Sequence, residues 1–183
     1  MMVAKSEISI QLISILLVLA LTGVNCSKQA ADETTGRTAP LLEGMGDLHF
    51  AVTTKNEMAQ RFFNQGLALS YAFNHKEAER SFREASRLDP DCAMAYWGIA
   101  LVLGPNINAA MDNAEIPNAY SAIQKALALA PKATEKEQAF INALSKRYAE
   151  NPPADRKPLD EAVELEVLGF VHDTQPPPPS LRP

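Results

Sequence analysis

The chain is expected to be all-α and built from stacked helix pairs, and three observations carry that expectation. One pattern recurs: Ala78, Phe82, Ala85, Leu88 and Pro90 reappear as Ala119, Ile123, Ala126, Leu129 and Pro131, each 41 residues further on. Repetition at such a period marks an array of helical units. A second set, Phe62, Gly66 and Leu69, reappears as Tyr96, Ala100 and Leu103 at a distance of 34, so the second unit carries a seven-residue insertion between Leu103 and Ala119. Within each unit the apolar residues keep helical spacing. Met58, Phe62, Gly66, Leu69 and Phe73 share one face, and Ala78, Phe82, Ala85 and Leu88 share the next.

The elements follow in order. Lys5 and the apolar run from Ile8 to Val24 have the charge-then-apolar order of a secretory signal. Ser9, Gln11 and Ser14 interrupt that run, and its continuous part falls short of the ~20 residues of a bilayer span. Residues 1–26 are therefore expected to be a signal peptide. Cys26 stands where a bacterial lipoprotein carries its lipidated cysteine, although Gly23 and Asn25 replace the usual aliphatic and small residues before it. Lipidation at Cys26 and ordinary cleavage both stay open. Either leaves Cys92 as the single free thiol, so stability must come from packing rather than an intramolecular disulfide. Small and polar residues such as Ala30, Asp32, Thr34 and Gly36 give residues 27–47 the composition of a flexible tether.

Helical repeats are expected over 48–155, the first at 59–92, the second at 93–133 and a third beginning at 134. Thr54 with Glu57, Asn74 with Glu77 and Thr134 with Glu137 have capping-box spacing at the helix starts. Pro90 and Pro131 close the second helix of each pair, because proline forces the preceding residue out of the helical region. Gly104, Pro105 and Pro117 mark the insertion as a loop. A third helix from Thr134 to Tyr148 places Ala139, Phe140, Ala143, Leu144 and Tyr148 on one side. Its partner over 156–170 is incomplete. Residues 171–183, with Pro176 to Pro179 in succession, form an extended or disordered tail.

At the recurring positions the chain resembles the tetratricopeptide repeat, a helix-turn-helix unit of about 34 residues. With Pro90 set at the family's late proline position, Gly66, Ala78, Phe82 and Ala85 fall on its Gly, Ala, Phe and Ala signature positions. The second repeat matches through Tyr96, Ala119, Ala126 and Pro131, with Ala100 in place of the glycine. The stretch from about His49 to Asp155, with its Ala72-Phe73-Asn74-His75 and Cys92-Ala93-Met94-Ala95-Tyr96-Trp97-Gly98 segments, is similar to a group of exported bacterial proteins of this family. The resemblance implies an array of about two and a half repeats, a location in the periplasm or cell envelope, and a protein-binding role without catalysis. Members of that group are usually longer. A truncated or frameshifted remnant and a last helix that serves as a natural cap are both compatible with the residues after Asp155.

Composition narrows the function. A net charge of -5 without a dense Lys/Arg block argues against nucleic-acid binding, which needs concentrated positive charge to displace phosphate counterions. No glycine-rich phosphate-binding pattern is present. In the family's architecture the first helix of each repeat lines a concave groove. On that pattern Phe63, Leu67, Ser70, Tyr71, Met94, Trp97, Leu101 and Gly104 line an apolar stretch, and Glu135, Gln138 and Asn142 a polar one. Phe63, Leu67, Tyr71, Met94, Trp97 and Leu101 are the expected groove for a protein or peptide partner. Alternatively, Phe63 and Trp97 pack against further repeats or the N-terminal segment. A small-ligand or metal receptor built on His75, Asn106 and Asn108 is the other reading; against it, Asn74 can act as a cap and the insertion's amides can tie down a loop. His49, His75 and His172 have no His or Cys at ligand spacing, so no metal and no cofactor is expected. Cys92 reads as a buried thiol, and no catalytic residue is expected. Contact with a membrane is expected only through the signal segment or a lipid anchor.

Overall fold

The computed structural model describes residues 36–106 and 108–161. The expected signal segment with Cys26, the tether over 27–35, the last helix beyond residue 161 and the tail over 171–183 lie outside the described residues. The chain divides into the units Met1–Ala30 and Ala31–Pro183, and every described residue belongs to the second.

The protein is all-α. Among the described residues its helices are α1 (Glu57–Tyr71), α2 (His75–Leu88), α3 (Ala93–Leu103), α4 (Ile116–Leu129) and α5 (Glu135–Ser145), with 3-10 turns at Asn113–Glu115 and Ala130–Lys132. Among the described residues there is no strand, only an isolated bridge between Asn106 and Ala109 in the insertion. Residues 157–161 begin a further helical turn. Each helix packs on the one before it, and α1 touches α3 as α3 touches α5.

Residue character explains this order. Helix α2 is amphipathic and buries Ala78, Ser81, Phe82, Glu84 and Ala85. Helix α3 is apolar on every side and buries Ala93, Met94, Ala95, Gly98, Ile99, Ala100, Val102 and Leu103, because helices cover it from several directions. The residues that recur at 41 positions share one fate: Ala78, Phe82 and Ala85 are fully buried, and so are Ala119, Ile123 and Ala126. At the centre lies Phe82. A Cβ added at Gly66 of α1 would sit 2.8 Å from its ring, and one at Gly98 of α3 would sit 2.4 Å away, so both glycines are required for three helices to close on one aromatic side chain.

The helix ends differ in part from expectation. Thr134 and Glu137 form the predicted capping box. Helix α1 starts later than the Thr54 pattern implies: Asn56 is its cap and accepts from the amides of Met58 and Ala59. Thr54 instead accepts from the Asn56 amide and donates to Asp89, tying the helix entry to the end of α2. Asn74 occupies the cap position of α2 but makes no side-chain cap bond; its own amide donates to the Leu69 carbonyl and closes α1. That closure puts Phe73 at φ 59°, a left-handed position usually given to glycine. Pro117 is not in the loop but in the first turn of α4, where its missing N–H costs nothing. Pro131 lies in the 3-10 turn that follows α4 rather than beyond a clean stop. Helix α5 ends at Ser145, and Tyr148 just past it is buried, with its hydroxyl donating to the Ala100 carbonyl.

Residues 38–47 are not a free tether. Ala39 is 3% exposed, Leu41 and Met45 pack on the core, and the chain from 38 to 53 runs without helix or strand along the helices.

Candidate functional site

The strip across α1, α3 and α5 where a concave groove was expected is already filled. Phe63 and Met94 are fully buried, Leu67 is nearly so, and Trp97 and Leu101 are half-buried against the core. Only Tyr71 stands out in solvent, 72% exposed, which leaves it away from any enclosed surface. An open apolar groove lined by those six residues is therefore not present. Of the two residues for which packing was the alternative, Phe63 lies against Phe50 of the segment before α1 and Trp97 against Phe140 of α5.

Phe50 is the residue that fills it. Its ring lies 6.0 Å from the Phe63 ring of α1 and meets the Phe140 ring of α5 edge-on at 5.7 Å. Lys136 Nζ sits 4.6 Å from the Phe50 centroid, a cation over an aromatic face. Phe140 in turn meets Trp97 edge-on at 6.0 Å, and the Trp97 indole N–H donates to the Phe140 carbonyl at 3.0 Å. The aromatic chain Phe63, Phe50, Phe140, Trp97 thus joins three helices through one residue of the extended segment.

The backbone of that segment has no strand beside it, so side chains satisfy it. Gln60 Nε2 donates to the Phe50 carbonyl at 2.8 Å while Gln60 Oε1 accepts from the Val52 amide at 3.0 Å. One side-chain amide therefore does what a neighbouring strand would do for residues 50 and 52. Asn64 Oδ1 accepts from the Phe50 amide at 3.2 Å. Further along, Gln65 accepts from the Leu42 amide and donates to the Pro40 carbonyl, at 2.7 Å and 2.9 Å.

Two buried carboxylates hold the ends. Glu137, 2% exposed, accepts from the amide of Thr53 at 2.6 Å and from its hydroxyl at 2.5 Å. Burial alone would raise its pKa, but hydrogen bonds from Thr53 and Thr134 outweigh that and lower it. Glu84, fully buried, accepts from the Thr38 amide and hydroxyl and pairs with Arg87 at 2.6 Å. Burial again opposes ionisation, yet the Arg87 and Thr38 hydrogen bonds bring its pKa down to about 2.

The alternative ligand site is not assembled. Asn106 and Asn108 line a depression completed by Met111, Ala154, Arg156 and Asp160, and His75 is not among its walls. The Asn106 side chain accepts from the Asn108 amide, which shapes the loop itself. His75 lies at the start of α2 with both ring nitrogens enclosed, edge-on to Phe73 at 6.2 Å. Among the described residues no group of three His, Cys, Asp or Glu side chains is placed to hold a metal ion, and no helix is long and apolar enough to cross a membrane. Cys92 is fully buried, and burial pushes its thiol up to about 11, far from a reactive thiolate at neutral pH.

Gln60, Asn64, Gln65, Glu84 and Phe50 escaped the sequence reading. Three amide-bearing residues within six positions of one helix were a visible signal. What they would bond could not be seen without the segment folded against them. Comparison of the chain with protein-family models, with curated proteins and with solved structures returns no match.

Proposed function

We propose that this chain is an exported helical-repeat module of the tetratricopeptide kind, and that it binds an extended segment of a partner protein across α1, α3 and α5 without catalysing a reaction. Export rests on Lys5 and the apolar run from Ile8 to Val24. The repeat assignment is supported by the recurring buried residues of α2 and α4 and by Phe82 seated between Gly66 and Gly98. One observation carries the binding role: Gln60 pairs with a backbone carbonyl and the amide two residues on, as a neighbouring strand would. Recognition of this kind reads an extended main chain and leaves side-chain pockets to set specificity.

An array of random extended peptides, presented to the full chain and to its Phe50→Ala variant, tests the reading. Trp97 is the single tryptophan and lies two rings from Phe50, so its emission reports entry into the strip. Saturable binding of a subset of peptides is expected, weakened about thirtyfold by Gln60→Leu, since two hydrogen bonds each contribute about 1 kcal/mol. Absence of binding to either folded protein would remove the reading.

A further inference from the structure

We propose that Phe50-Ala51-Val52-Thr53 is a built-in competitor, and that the ligand of this strip is an extended peptide with an aromatic residue, any residue, a small aliphatic residue and then threonine or serine. The proposal rests on the binding role above and specifies its ligand.

Each position is argued from what surrounds it. The first must be aromatic, because Phe63 and Phe140 meet the ring at 6.0 and 5.7 Å and Lys136 lies against its face. Aromatic pairs and cations over rings favour such a side chain over an aliphatic one of equal area. Ala51 is exposed, so the second position is unconstrained. Val52 is 9% exposed and its amide is held by Gln60, which limits the third position to a side chain of similar size. Thr53 directs both its amide and its hydroxyl to Glu137, so the fourth position must supply a hydroxyl donor; an acidic side chain there would face a buried carboxylate.

The tetrapeptide is also attached in a way that permits exchange. Residues 46–49 before it and Lys55 after it are exposed. Gly44 and Gly46, at φ 73° and 77°, touch nothing that a Cβ would meet. The segment is therefore docked at 38–42 and again at 50–53, with Met45 against the core and exposed residues 46–49 between, and the second docking can be released while the first stays. Held by a short linker, it competes at an effective concentration on the order of millimolar, so a free peptide binds the unmodified chain weakly.

The test uses the synthetic peptide corresponding to residues 48–55, titrated into the full chain and into its Phe50→Ala variant by calorimetry and Trp97 emission. A dissociation constant lower by about tenfold or more for Phe50→Ala is expected, because the tethered competitor has lost its anchor. Binding should vanish for the same peptide carrying alanine in place of its phenylalanine, and for one carrying aspartate at the position of Thr53. If Phe50→Ala loses its cooperative thermal transition, Phe50→Leu keeps most of the packing volume and replaces it. Millimolar peptide carrying a fluorine-labelled phenylalanine, followed by fluorine resonance against the unmodified chain, gives an arm independent of any variant, and absence of a bound signal there counts against the proposal. Should the variant bind other extended peptides but not this one, the proposed ligand is wrong and the binding role survives. Should it bind none, both fall.

Discussion

Phe82 decides how closely three helices approach, and it does so through the two glycines beneath its ring. Adding a methyl at Gly98 places a carbon 2.4 Å from Phe82, inside any real contact distance, so either the ring or α3 must move. Gly98→Ala is expected to lower stability by about 1 to 3 kcal/mol as overpacking does, seen as a lower urea midpoint at unchanged slope. Pairing it with Phe82→Leu should recover part of that loss, because the smaller side chain vacates the contact. Gly66 was legible from the sequence, since it sits at a recurring position on an amphipathic face. Gly98 was not: it lies in Ala93–Leu103, where every residue is apolar or small and no periodicity singles one out. The burial of the polar groups Gln65, Ser81, Glu84 and Glu137 was equally hidden, because on a helix surface they are indistinguishable from solvated side chains.

At the scale of elements, helix positions were readable and the extended segment was not. Apolar spacing and proline placement located the helices to within a few residues, and Thr134 with Glu137 made the capping box that its spacing implied. Residues 38–53 carry no helical or strand pattern; 27–47 read as a tether from their composition, and 48–53 were included in the repeats. Their order comes from side chains contributed by α1, α2 and α5. Part of that attachment depends on pH. Glu84 is held at about 2 in the fold against an ordinary 4.5, so its carboxylate is stabilised by folding. A depressed native pKa contributes stability above the ordinary value and loses it as pH falls through the native one. Unfolding midpoints should therefore decline between about pH 4.5 and pH 2, with Glu137 acting in the same direction. Glu84→Gln should be less stable at pH 7 and show a flatter decline across that window. Protection of the Thr38 amide, its exchange relative to an unstructured amide at the same pH, should fall over the same range in the unmodified chain. An unchanged decline in the variant would show that Glu84 is not responsible.

For the molecule as a whole, coupling between the helix pairs follows from shared side chains. Phe82 of α2 contacts both α1 and α3, and Tyr148 after α5 bonds the Ala100 carbonyl of α3. Helix pairs that share buried side chains in this way stabilise one another. Thermal unfolding followed by far-UV ellipticity and by Trp97 emission is therefore expected to give coincident transitions. Phe82→Ala should shift both together by the 3 to 5 kcal/mol typical of removing a buried phenylalanine. Separate transitions would mean that the helix pairs fold independently.

The sequence by itself determined the all-α class and the order of the helices. Those depend on local periodicity and on proline and glycine, which act within a few residues. Only the tertiary structure decided that Phe63 and Met94 are enclosed rather than presented, that His75 stands apart from Asn106 and Asn108, and that Phe50 occupies the strip between α1 and α5. The physical reason is that an irregular segment has no pattern of its own. Its path is set by hydrogen-bond partners such as Gln60 and Glu137, which lie 8 and 84 residues from the amides they hold and come within reach only after the helices have stacked.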